Sequence, residues 1–195
     1  MPISNPLEAT QSPAIPFAAV GTIMYTDIVY RGGMPRGMSP LAIVEAIRRH
    51  QDFTHSAIHA HGGELSQFIG DATVAYWLDG RCASNHAASA FSAARQMLEG
   101  LPTLLAQQSG LEYDLRVTLG SGEMAGEYFG PIKQFQIMGL GRAVADRLAR
   151  SPPSVVSFVR MSQYTASLLG GTTGLADCGV IARDFLPDLQ ILEWR

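Results

Sequence analysis

The chain has 195 residues, with 14 Lys and Arg against 17 Asp and Glu and a net charge of −3. At 47% hydrophobic and 16% charged it is apolar enough to fold, and its length suffices to bury a core without staples, so a wholly disordered chain is excluded. No apolar run reaches the ~18 residues of a membrane span, no Lys or Arg precedes Arg31 to make a signal peptide, and mild acidity argues against nucleic-acid binding. Two cysteines, Cys82 and Cys178, make neither a disulfide framework nor a zinc pattern. The expectation is a reduced, cytoplasmic protein.

Residues 1–18 hold Pro2, Pro6, Pro13 and Pro16 among small polar residues and read as a flexible leader outside the core. Residues 19–195 read as one domain. Gly21–Tyr30 is β-branched and aromatic, a buried strand. Arg31–Gly37 is a loop. Ser39-Pro40 then opens a helix, with Ser as N-cap and Pro at the first helical position. Leu41, Val44, Ile47, Ala57 and Ile58 recur at helical spacing, and Gly62-Gly63 stops the helix. Residues 65–77 form two short strands around Gly70-Asp71, a hairpin signal. A second helix covers 84–108, and a strand covers 113–125. A return strand lies within 127–138, and a third helix over 141–150 ends at Pro152-Pro153. A strand at 154–159, a helix at 161–169 and strands near 176–182 and 189–194 close the chain. Mixed elements with hairpins predict an α+β fold with a mainly antiparallel sheet.

Two carboxylates stand out. Asp27 lies inside an apolar strand and Asp71 at the tip of an apolar hairpin. A carboxylate beside a core is costly unless paired or bound to a cation. On neighbouring strands the two could hold a pair of hard divalent cations, which take oxygen ligands shared with phosphates. Taken singly, Asp27 also fits a turn cap and Asp71 a hairpin residue. His55 and His59 have the i, i+4 spacing of a zinc pair but no third ligand, and read as an exposed helix face. Ser121, between Gly120 and Gly122, lacks the flanking pattern of a hydrolase elbow.

Tyr25-Thr-Asp27-Ile-Val, His61-Gly-Gly63 and Phe68-Ile-Gly-Asp71 come in order along the chain. Leu115-Arg-Val-Thr-Leu-Gly-Ser-Gly-Glu-Met-Ala-Gly126, Ile137-Met-Gly139, Ala145-Asp-Arg147-Leu and Leu192-Glu-Trp194 follow them. This series resembles the class III nucleotide cyclase catalytic domain, the adenylate/guanylate cyclase family, over about residues 20–195. The 44-residue separation of Asp27 and Asp71 fits that family's two metal-binding aspartates. The resemblance implies a ferredoxin-like βαββαβ core and two Mg or Mn ions on Asp27, Asp71 and the Ile28 carbonyl. It implies that Arg116 binds the triphosphate and Arg147 stabilises the transition state. It also implies a head-to-tail homodimer, with Arg147 facing the partner's metals.

The sequence departs from the family at the base-reading positions. Gln67 stands where purine cyclases carry lysine, and Gln136 where they carry an acidic residue or threonine. Tyr30 replaces a small glycine, Ala143 replaces an asparagine, and Leu140 follows Gly139 in place of Asp. Lysine only donates and a carboxylate only accepts, whereas glutamines do both and suit a pyrimidine edge. Tyr30 would narrow the nucleotide pocket; as an aromatic in a strand it equally fits plain packing. Together these features resemble the pyrimidine cyclases of bacterial Pycsar anti-phage systems. The expected activity is a phosphorus–oxygen lyase that converts a nucleoside triphosphate, UTP or CTP ahead of ATP or GTP, to a 3′,5′-cyclic nucleotide and pyrophosphate. A purine cyclase, and a degenerate fold acting as a regulatory module, stay open as alternatives.

Overall fold

A computed structural model describes residues 14–33, 37–82, 84–107, 111–151, 156–171, 174–183 and 186–195. The expected leader up to residue 13 and the helix-ending Pro152-Pro153 lie outside these residues. The first six elements are β1 (Phe17–Tyr30), α1 (Pro40–Ala60), β2 (Glu64–Ile69), β3 (Ala72–Leu78), α2 (His86–Ala106) and β4 (Tyr113–Phe129). They follow the expected βαββαβ order. After them come β5 (Gln134–Gly139), α3 (Leu140–Ala149), β6 (Phe158–Ser162), α4 (Gln163–Ser167), β7 (Ala176–Arg183) and β8 (Leu186–Trp194). The eight strands make one sheet in the order β2-β3-β1-β4-β6-β8-β7, with β5 on β4. Among the described residues only the β4–β6 pair is parallel.

Helices cover both faces of the central strands. Met24, Ile28, Trp77, Leu115, Val117 and Leu119 meet the Ala-rich face of α2 and the buried stripe of α1. On the other face, Ile23, Val74, Tyr76, Met124 and Ile137 meet Ala145 of α3. This two-sided cover explains why β3 is buried along its whole length while the edge strand β2 is not. Each large side chain removed from water contributes about 1.5–3 kcal/mol. Gly120 sets the fit of α3, because a Cβ there would lie 2.3 Å from the Gly141 carbonyl oxygen and 2.5 Å from the Ala145 nitrogen. The His61-Gly-Gly63 turn works similarly. Gly62 takes a positive φ of 71°, and a Cβ on Gly63 would strike the Trp77 ring at 2.4 Å.

Several expectations are corrected. β1 begins at Phe17, inside the expected leader, because Phe17 packs on Tyr76 and Phe135 at ring separations of 5.8 and 6.3 Å. Leu41 and Val44 are 82% and 62% exposed, since the buried stripe of α1 starts only at Ala46 and runs through His50 and Thr54. The strand expected at 154–159 runs instead from Phe158 to Ser162. Ser162 caps α4 by accepting from the Thr165 amide, so Met161 belongs to the sheet and α4 is short. Ser121 is a buried structural hydroxyl, 2.7 Å from Thr22 Oγ1. Cys82 and Cys178 are free thiols. Among the described residues no helix is long and apolar enough to cross a membrane.

Candidate active site

Strand pairing delivers Asp27 to a cation. The β1–β4 register sets Asp27 opposite Arg116, and Arg116 Nη2 donates to Asp27 Oδ2 in a charge-assisted bond. Both side chains alternate away from Leu115 and Val117, which enter the core on the other face. Asp71 arrives through the β2–β3 hairpin, whose turn uses Gly70 at a φ of 63°. Thr26 faces Thr73 across β1 and β3, so the turn brings Asp71 alongside the Asp27–Ile28 segment. Tyr30, at the end of β1, places its phenol close enough to the Asp71 carboxylate for each to shift the other's protonation.

The two carboxylates share one electrostatic neighbourhood. Burial pushes the Asp71 carboxyl up, and the Asp27 charge adds to the rise, against its own backbone amide and the Tyr30 phenol. Burial likewise raises the Tyr25 and Tyr30 phenols, with Asp27 and Asp71 contributing to both. Among the described residues no group of three or more His, Cys, Asp or Glu could hold an ion. The oxygen donors brought together here are the carboxylates of Asp27 and Asp71. Such an all-oxygen, incomplete set is of the kind that would suit a hard cation taking its remaining ligands from phosphate and water.

Beside the carboxylates lies a cleft of about 290 Å³ lined by Tyr25, Asp27, Ile69, Arg142, Asp146 and Arg150. Asp146 holds Arg142 at 3.0 Å and Arg150 at 4.0 Å. Sequence reasoning missed this face of α3, although the i, i+4, i+8 spacing of the three charges was its signal. Arg147 does not line the cleft. Its Nη2 donates to the Ile181 carbonyl on β7, the far edge strand, at 2.6 Å. Ala143 sits one turn before Arg147 on α3. Gln67 of β2 accepts from Gln134 Nε2 at 3.2 Å, and Gln136 is two residues further along β5, opposite Glu127. Gln134, which the sequence reading passed over, shares an alternation with Gln136. Of the residues singled out in the sequence, Asp27, Ile28, Tyr30, Asp71 and Arg116 gather at one place, Gln67 meets β5, and Arg147 is tied elsewhere.

The fold so described is that of adenylyl and guanylyl cyclase catalytic domains. The adenylyl cyclase CyaB from P. aeruginosa superposes with a TM-score of 0.79 at 20% identity, over 91% of this chain and 94% of that one. The guanylate cyclase domain of RhGC from Catenaria anguillulae, in complex with GTP, gives 0.76 at 16%, over 90% and 95%. The non-canonical dimeric guanylyl cyclase domain of the RhoGC fusion protein from Blastocladiella emersonii gives 0.74 at 14%, over 93% and 98%. No protein-family model and no curated protein matches the sequence.

Proposed function

We propose that this chain is a nucleotidyl cyclase that closes a nucleoside triphosphate to its 3′,5′-cyclic nucleotide with release of pyrophosphate. The observation that carries this reading is the convergence of Asp27 and Asp71 from separate elements of a cyclase fold. Two divalent cations on Asp27, Asp71 and the Ile28 carbonyl would supply acidification of the ribose 3′-OH and charge neutralisation at the leaving group. Arg116 binds the triphosphate from β4, and Tyr30 steadies Asp71. Arg147 stabilises the charge that develops at phosphorus, reaching it from a second copy in a head-to-tail homodimer. Its bond to the edge strand away from Asp27 within one chain supports that division of labour.

Gln67 and Gln136 read the base, and their two-way hydrogen bonding favours UTP or CTP. A purine substrate is the second reading, supported by the likeness to an adenylyl cyclase and to a guanylate cyclase domain in complex with GTP. The test is turnover of ATP, GTP, CTP and UTP with Mn²⁺, with products identified by mass. We expect a cyclic product, a pyrimidine preference of at least about tenfold in kcat/KM, and a loss of about 10³-fold or more in Asp27→Ala and Asp71→Ala. A higher kcat/KM for ATP or GTP removes the pyrimidine assignment. Full activity in Asp71→Ala removes the paired-carboxylate assignment. No cyclic product from any triphosphate leaves a binding module, which the missing asparagine at Ala143 would explain.

A further inference from the structure

A carboxylate meant for a divalent cation already holds a monovalent one. Arg116 and Asp27 are cross-strand partners, so their ion pair is set by the register of the sheet and not by a chance meeting of surface side chains. The flanking Leu115 and Val117 fill the core, which leaves the guanidinium no other face to occupy. Asp71, by contrast, has no ion pair among the described residues and lies beside the neutral phenol of Tyr30. The guanidinium is also incompletely satisfied, because Arg116 Nε is buried without a hydrogen-bond partner. A planar donor with spare N–H groups beside a cleft that ends on Arg142 and Arg150 is suited to an incoming polyphosphate.

We propose that Arg116 holds the place of a divalent cation on Asp27, and that a polyphosphate draws it off as metal enters. Guanidinium and metal compete for the same oxygen, whereas polyphosphate and metal help one another. Metal affinity is therefore low without a polyphosphate and rises with it, and linkage makes the effect reciprocal. The chain thereby avoids a charged metal site standing open between turnovers. The inference rests on the cyclase reading for the metal role of Asp27 and for the identity of the polyphosphate.

Two binding experiments test it on the full chain. In the first, free Mn²⁺ is titrated by electron paramagnetic resonance without nucleotide. Arg116→Gln should bind Mn²⁺ at least about tenfold tighter than wild type, within the usual range of coupling between ligands. Adding Asp27→Asn should remove the gain. In the second, inorganic tripolyphosphate is titrated calorimetrically in EDTA. Asp27→Asn and Asp71→Asn lose the same charge, but only the former releases Arg116, so it should bind at least about fivefold tighter. An unchanged Mn²⁺ affinity in a folded Arg116→Gln, or equal tripolyphosphate affinities in the two Asn variants, overturns the proposal. A chain that shows both gains but forms no cyclic nucleotide loses the cyclase reading and keeps the exchange. An active cyclase that shows neither loses the exchange alone.

Discussion

His50 makes the fold acid-labile by a calculable amount. It is buried on α1, with Nδ1 3.0 Å from the Tyr113 hydroxyl and Nε2 3.4 Å from Thr54 Oγ1, and no carboxylate faces it in these contacts. Burial pulls its imidazole from 6.5 down to about 4. The unfolded chain therefore takes up a proton at a higher pH than the folded one. Stability is intact above pH 6.5 and is lost as pH falls towards 4. At about 1.36 kcal/mol per pKa unit the full loss is roughly 3 kcal/mol, of which about 2 kcal/mol falls between pH 7 and pH 5. In a chain of this size that is a drop of about 4–8 °C in Tm from this one group. Urea unfolding at pH 7 and pH 5, for wild type and His50→Gln, isolates it. His86 and the acidic groups titrate in both proteins and cancel. The wild type should lose about 2 kcal/mol more than the variant over that interval. Parallel losses would show that His50 is not held neutral by burial.

Gly120→Ala should cost about 1–3 kcal/mol in thermal or urea unfolding, because the new methyl meets backbone of α3 on both sides; a neutral substitution would mean that α3 is not seated on β4 as described. Inactive Asp27→Ala mixed with inactive Arg147→Ala should recover activity, since one of the two sites in a mixed dimer carries neither change; exchange of subunits without recovery would end the composite-site reading.

What the sequence discloses depends on how far apart the cooperating residues lie. Ser39-Pro40 and Gly70-Asp71 are local signals, read within a few residues, and the helix and hairpin stand where those signals put them. Asp27 and Asp71 were conspicuous because each interrupts an apolar run. The Arg116–Asp27 pair joins residues 89 apart, and its existence depends on a strand register fixed by the whole sheet. The size of Tyr30 is visible in the sequence, whereas the nearness of its phenol to Asp71 depends on the β2–β3 turn. On α1 the exposed pair His55 and His59 has a recognisable spacing, while His50, the histidine that is buried, carries no local mark. Leu41 and Val44 obey helical periodicity, but periodicity does not say where along a helix its cover begins.

The parallel pairing of β6 with β4 has a consequence for the growing chain. β6 has two neighbours in the sheet, β4, made earlier, and β8, made after β7. While the ribosome is still translating beyond residue 162, β6 is an open edge and Arg160, 10% exposed in the finished fold, lacks the wholly buried Glu193. Arg147 at that moment lacks the Ile181 carbonyl to which it donates in the finished fold. At about 5–20 residues per second this interval lasts a few seconds. The carboxylate pair is thus complete well before the arginine is placed, and an interrupted nascent chain carries one without the other.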